Sequence, residues 1–132
     1  MRKWLTAFLV IALLGCNGDD ELLDRARAIG TFLCEKAVAG EAAELSDPTA
    51  IPDVDSMSTG PLLATRLDEL SGELDDFSVE AREGVVPSSI GSDGRNTHYL
   101  ILRNPQEELL GIRLYYIGDN DAFHILDYWT PS

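Results

Sequence analysis

The sequence predicts an α+β fold in which N-terminal helices pack against a four-stranded antiparallel sheet. Between residues 22 and 74, apolar residues recur at spacings of three and four, which is typical of amphipathic helices. After residue 76 the apolar period changes to two, which is typical of half-buried strands. Short turn-forming segments separate the strand candidates, and such turns join consecutive strands as antiparallel hairpins.

The first predicted helix covers residues 22 to 43. Its core face is formed by residues spaced four, three, four and four apart, namely Leu22, Ala26, Ile29, Leu33 and Ala37. Gly40 is expected to interrupt this helix and to leave residues 41 to 46 as a short second helix. Asp47 precedes Pro48, and the residue before a proline disfavours helical backbone, so the helical region should end there.

Residues 46 to 61 are predicted to be a long loop, because they contain three prolines and have no sustained period. The third helix should begin at Pro61, since proline is favoured at the first helical position, and its leucine stripe ends near Leu74. The predicted strands of the meander cover residues 77 to 81, 98 to 103, 109 to 117 and 122 to 129.

Residues 1 to 16 have the organisation of an export signal. Arg2 and Lys3 precede 11 uncharged residues and the small Gly15. A signal peptide needs about 7 to 15 apolar residues, whereas a membrane-spanning helix needs about 20. The segment Leu13-Leu14-Gly15-Cys16 resembles the lipobox of bacterial lipoproteins, although Leu14 is bulkier than the usual residue at its place. The alternative is a buried N-terminal core helix.

The lipobox resemblance implies that Cys16 carries a diacylglyceryl thioether, that residues 1 to 15 are removed, and that a fatty acid such as palmitate acylates the new amino group. Two or more such chains anchor a protein stably in a membrane. Residues 16 to 21 would form a short acidic tether, and residues 22 to 132 a single domain. The protein is therefore expected in the bacterial cell envelope, anchored to a membrane.

The residues after Cys16 bear on which membrane holds the anchor. Asn17 stands where enteric bacteria use an aspartate to retain lipoproteins at the inner membrane, so the outer membrane is expected. The triplet Asp19-Asp20-Glu21 resembles acidic signals that direct some lipoproteins to the cell surface. Its alternative role is local, because carboxylates stabilise the first turn and cap of a helix. The membrane face stays open.

The mature chain of 117 residues carries eight basic and 23 acidic side chains, a net charge of −15. Such acidity argues against nucleic acid as a partner and against charge-driven binding to anionic lipid. Once Cys16 is lipidated, Cys34 has no cysteine partner and is expected to be a buried, inert thiol. An exposed Cys34 would instead allow an intermolecular disulfide, and without lipidation it could pair with Cys16.

The mature domain resembles NTF2-like and cystatin-like α+β domains. The matching residues are Phe32-Leu33 with Gly40 and Glu41, and the closing segment IGDNDAFHILDYW at 117 to 129. The resemblance implies a curved sheet that wraps the helices and encloses, in some members, a cone-shaped pocket for binding or catalysis. Glu41 and Phe123 depart from the residues frequent at these places.

No sequence motif for a nucleotide, a metal or a hydrolase nucleophile occurs in the mature chain, so neither a cofactor nor a metal is expected. The spacing of Asp47, Asp53 and Asp55 does not match a calcium loop. His98 and His124 are expected to have structural roles. Asp127 has the same strand parity as Phe123, Ile125 and Trp129, so it would point into an apolar pocket if those residues face inward. The alternative turns His124, Leu126 and Tyr128 inward.

Aromatic residues crowd the end of the chain, and the candidates for a binding surface are Tyr115, Tyr116, Phe123 and Trp129. The favoured function is a non-enzymatic, lipid-anchored accessory protein that binds another envelope protein. One alternative is an NTF2-like pocket protein that binds a small ligand or performs acid–base chemistry with Asp127. Another is an inhibitor or immunity lipoprotein directed against a basic partner.

Overall fold

A computed structural model describes residues 18 to 84 and 97 to 131 of the chain. The predicted lipobox and the predicted turn segment GSDGRN lie outside these residues. The described helices are α1 (Gly18–Val38) and α2 (Leu62–Glu69), with 3-10 helices at Ala42–Ser46, Pro48–Ala50 and Ser71–Glu73. The described strands are β1 (Val54–Met57), β2 (Ser78–Glu83), β3 (Thr97–Arg103), β4 (Glu108–Ile117) and β5 (Ala122–Trp129). No described helix is long and apolar enough to cross a membrane.

Helix α1 buries the face that the sequence predicts. Within its stripe, the side chains of Ala26, Leu33 and Ala37 are fully buried. Gly40 ends the helix as predicted, because it adopts a left-handed φ of 79° that suits glycine. The Gly40 N–H donates to the Ala37 carbonyl and the Glu41 N–H donates to the Lys36 carbonyl, which completes a Schellman motif. Residues 42 to 46 then form the short second helix, of the 3-10 type.

Gly30 lets α1 lie close to the sheet. A Cβ at this position would be 2.7 Å from Val79 Cγ1 on β2 and 3.2 Å from Leu100 Cδ1 on β3. Such separations are too short for ordinary van der Waals contact, so a side chain here would push the helix away. The glycine therefore sets the distance between helix and sheet.

The predicted four-stranded antiparallel meander is corrected to a five-stranded mixed sheet with the order β1-β5-β4-β3-β2. The four predicted strands are present and antiparallel to one another, but β1 pairs in parallel with β5. Strand β1 lies inside the predicted loop of residues 46 to 61. It has four residues and its pairing partner lies far along the chain, so no local period indicates it.

The helices cover one face of the sheet, which we call the inner face. Its fully buried strand residues include Leu100, Leu102, Leu110, Ile112, Leu114, Phe123 and Ile125. Cys34 is also fully buried on α1, as predicted, and this burial raises the pKa of its thiol to about 12. The interface between helices and sheet is thus filled by packed side chains.

A bulge in β5 changes which side chains face the helices. Arg113 pairs with Asp127 whereas the next residue of β4, Leu114, pairs with Ile125, so Leu126 is an extra residue. Phe123 and Ile125 therefore point inward, but Asp127 and Trp129 point away from the helices. Neither of the two orientations predicted for this strand describes its whole length, because both assumed an unbroken period of two.

Candidate functional site

The sheet surface opposite the helices, here called the outer face, presents three adjacent cross-strand rows. The serine–histidine row contains Ser56, His124, Tyr115 and Thr97. The charged row contains Asp127, Arg113, Tyr99 and Arg82. The aromatic row contains Trp129, Gly111, Ile101 and Glu80. None of these twelve residues belongs to the core cluster of the described residues.

Trp129 dominates the aromatic row by lying flat against a glycine. A Cβ on Gly111 would be 2.3 Å from Trp129 Cε2, so only glycine leaves room for the indole there. The Tyr99 ring lies next to the indole, with 6.2 Å between ring centroids. Ile101, directly across from Gly111, is 9 % exposed. Together these residues form a continuous apolar and aromatic patch on the outer face.

The arginines of the outer face are each paired with a carboxylate of the same face. Arg113 Nη2 lies 2.7 Å from Asp127 Oδ2, and Arg82 contacts Glu80. Farther along, Arg103 Nη1 lies 3.7 Å from Glu108 Oε2. The charges around the aromatic patch are therefore locally balanced.

The structure separates the binding residues that the sequence suggests. Trp129 and Tyr115 lie on the outer face, half-buried, in different rows. Phe123 is fully buried on the inner face, and Tyr116 packs beside it, with ring centroids 5.4 Å apart. Asp127 belongs to the outer face, where its side chain is 49 % exposed and bridged to Arg113. Cys16, the predicted lipidation site, lies outside the described residues.

His124 is held between two serine hydroxyls. Ser56 Oγ lies 2.6 Å from His124 Nδ1, and Ser58 Oγ lies 2.7 Å from His124 Nε2. The parallel register places Ser56 beside His124, and the Ser58 N–H donates to the Ile125 carbonyl at 2.8 Å. Sequence reasoning missed both serines because it placed them in a loop. Their spacing of two was the available signal, since such residues share one side of a strand.

Arg25 of α1 ties two loops together at the edge of the domain. Its guanidinium donates to both Asp53 carboxylate oxygens at 3.0 Å and to Asp121 Oδ1 at 2.9 Å. The Tyr116 hydroxyl also donates to Asp121, and this bond, followed by the one from Arg25, lowers the pKa of the Asp121 carboxyl. Asp53 and Asp121 have φ of 68° and 50°, which is uncommon for residues other than glycine. The network therefore holds both loops in otherwise unfavourable conformations.

The three loop carboxylates considered for a cation have separate partners. Asp47 accepts hydrogen bonds from the Thr49 amide and hydroxyl, Asp53 binds Arg25, and Asp55 accepts from Asn120 Nδ2 at 2.8 Å. Within residues 18 to 84 and 97 to 131, no group of three or more histidine, cysteine or acidic side chains is placed to hold a metal ion.

Most of the acidic residues and the aromatic patch lie in different segments of the chain. Residues 18 to 77, which include both described helices, carry four basic and 15 acidic side chains, a net charge of −11. Residues 78 to 131 carry four basic and eight acidic side chains, a net charge of −4. The segment that contains the helices is therefore more acidic than the segment that carries the aromatic patch.

Described residues line surface grooves of about 360, 460 and 350 Å³, and Asp127 lines none of these three. The first groove runs between α2 and the 3-10 helix at Ala42–Ser46.

Comparisons of the chain with protein-family models, curated proteins and solved structures find no match.

Proposed function

We propose that this protein is a lipid-anchored accessory protein of the bacterial envelope that binds another protein through its outer face. The observation that carries the proposal is the patch around Trp129, Gly111 and Tyr99. Its residues do not belong to the core cluster of the described residues. Tyrosine and tryptophan are enriched at protein interfaces, where they combine apolar contact area with a polar group.

The paired charges of the outer face support this role. Isolated charges must lose hydration when a partner covers them, and that loss weakens binding. Here Arg113 and Asp127 already satisfy each other at 2.7 Å, and Arg82 is paired with Glu80. A partner with a largely apolar contact surface can therefore cover the patch without leaving an unpaired charge beneath it.

The anchor belongs to the same proposal. Helix α1 begins at Gly18, two residues after Cys16. Two extended residues span only about 7 Å, so a lipid on Cys16 would keep the domain next to the membrane. The binding face would then meet partners in or near that membrane, with the outer membrane as the expected location.

Site-specific photo-crosslinking in whole cells tests the outer face directly. A photoreactive residue at Tyr99 should give one discrete crosslinked protein, and Trp129→Ala should abolish that product. The matched control places the same residue at Glu69, which is exposed on α2 on the helical side. Equal products from both positions, or none from position 99, would refute the proposed face.

An inhibitor or immunity role is the second candidate, and the net charge of −11 over residues 18 to 77 favours it. Such a surface accelerates association with a basic protein at low ionic strength. In that case photo-crosslinking from Glu69 should yield the partner, and the yield should fall steeply as salt increases.

We propose that the fold is NTF2-like. The order of two helical segments, a further helix and a closing meander supports it. A small-ligand pocket around Asp127 has less support, because this carboxylate points away from the helices and binds Arg113. Asp127 therefore has no role in the proposed function.

A further inference from the structure

The contacts of His124 limit which atoms carry the protons that the imidazole shares with Ser56 and Ser58. A neutral imidazole has one nitrogen that donates a hydrogen bond and one that accepts. Ser56 and Ser58 occupy the two nitrogens at 2.6 and 2.7 Å. One serine must therefore donate its hydroxyl proton to the ring while the other accepts the ring N–H.

The two serines differ in their access to solvent. Ser58 is exposed at the end of β1, whereas Ser56 is half-buried within the strand. When Ser58 donates to Nε2, Nδ1 carries the proton and donates to Ser56. This arrangement has an accessible hydroxyl, a base within hydrogen-bond distance and a third group that orients the base, which is the general pattern of an activated nucleophile.

We propose that Ser58 is a nucleophile activated by His124, that Ser56 is the positioning residue for the imidazole, and that small activated acyl esters are the class of substrate. Ser58 lies exposed one residue beyond the end of β1, so a substrate can reach its hydroxyl from solvent. This activity is separate from the binding role of the aromatic patch, whose Trp129 and Gly111 lie two rows away on the outer face.

The reaction proceeds in two steps. Ser58 Oγ attacks the ester carbonyl and forms a C–O bond, while its proton moves to His124 Nε2. The bond to the leaving group then breaks, and the departing oxygen receives that proton. Water, deprotonated in turn by His124, hydrolyses the acyl-serine, releases the carboxylic acid and restores the Ser58 hydroxyl.

A fluorophosphonate probe tests the nucleophile without requiring a known substrate. Ser58 Oγ should form a P–O bond as the P–F bond breaks and fluoride leaves. Mass spectrometry of peptides from the full chain should locate the adduct on Ser58. The control is Ser46→Ala, which removes an exposed hydroxyl that donates to the Ala43 carbonyl at 3.0 Å and should leave labelling unchanged.

His124→Gln separates activation from structure. Glutamine can still hydrogen-bond both serines and hold β1 to β5, but it cannot take up a proton. The labelling rate should fall by about 100-fold or more, the usual contribution of a general base, while the melting temperature stays close to that of the parent. For the positioning residue, Ser56→Ala should slow labelling and Ser56→Thr should restore it.

Three results would overturn the proposal. The first is the absence of any adduct on Ser58 in the folded parent protein. The second is equal labelling of the parent and the His124→Gln variant. The third is an adduct distributed over other exposed serines such as Ser46. A negative result here would leave crosslinking from Tyr99 unaffected, so the two proposals fail separately.

Discussion

The indole of Trp129 lies against Gly111 so closely that a Cβ on the glycine would be 2.3 Å from Trp129 Cε2. The two residues pair across β4 and β5, and the contact buries the backbone of Gly111. Glycine at this position therefore builds the centre of the outer face, because it allows the largest aromatic side chain to lie flat on the sheet.

Gly111→Ala should displace the indole. Trp4 lies in the predicted leader, so Trp129 is the single tryptophan of the mature chain and its emission reports this contact alone. We expect a red shift of the fluorescence maximum and loss of the Tyr99 crosslink. Gly72→Ala is the control, since a Cβ there meets nothing within 4 Å. Unchanged emission in Gly111→Ala would contradict the packing.

Gly30→Ala should destabilise the fold although alanine favours helix. The helical preference would contribute about 1 kcal/mol, whereas an added methyl in a packed core costs about 1 to 3 kcal/mol. The new Cβ would meet Val79 Cγ1 at 2.7 Å. Urea denaturation should show a lower midpoint than the parent, with Gly72→Ala again as the control. An increase in the midpoint would show that α1 can move away from β2 without cost.

Arg25→Ala should lower the melting temperature at neutral pH, because it releases Asp53 and Asp121 from their hydrogen bonds. The pKa of Asp121 lies below its ordinary value of 3.8, so its ion pair stabilises the fold above that pH and is lost as the pH falls through the lowered value. The difference between parent and variant should therefore shrink in strong acid. Arg27→Ala is the control, since the ion pair of Arg27 is made with exposed Asp24. An equal fall in melting temperature for both variants would contradict the stabilising role of the Arg25 hydrogen bonds.

Cys34 should resist alkylation in the folded protein. Burial raises the pKa of its thiol to about 12, so almost no thiolate exists at pH 8, and the side chain is inaccessible. In a Cys16→Ser variant, where Cys34 is the single thiol, iodoacetamide should react only after denaturation. Raising the pH above the ordinary value of 9.0 should weaken the fold, because the unfolded thiol ionises first. Rapid labelling of the native protein would contradict its burial.

Sequence patterns predicted the elements that depend on residues close together in the chain. The stripe containing Ile29 and Leu33 indicated α1, and Gly40 marked its end because glycine adopts a left-handed φ without steric cost. The antiparallel pairs β2–β3, β3–β4 and β4–β5 followed from alternating strands and short turns. Strand β1 did not, because its four residues gain their hydrogen bonds from β5, about 70 residues away, and the sequence around Asp53 shows only turn chemistry.

The candidate site was harder to predict than the fold. A bulge of one residue at Leu126 reverses the direction of Asp127 and Trp129, and nothing in the strand sequence marks it. Trp129 was predicted as a binding candidate from its residue type. Its contact with Gly111 was not predicted. The pairing of Ser56 with His124 depends on β1, so it could not be predicted once β1 was placed in a loop.

We propose above all that lipid on Cys16 holds the chain at a bacterial membrane. The most direct measurement is the mass of the N-terminal peptide of the protein extracted from envelopes with detergent. We predict a peptide that begins at Cys16 and carries a diacylglyceryl thioether together with an amide-linked fatty acid. A peptide that begins at Met1 and contains an unmodified Cys16 thiol would contradict the claim.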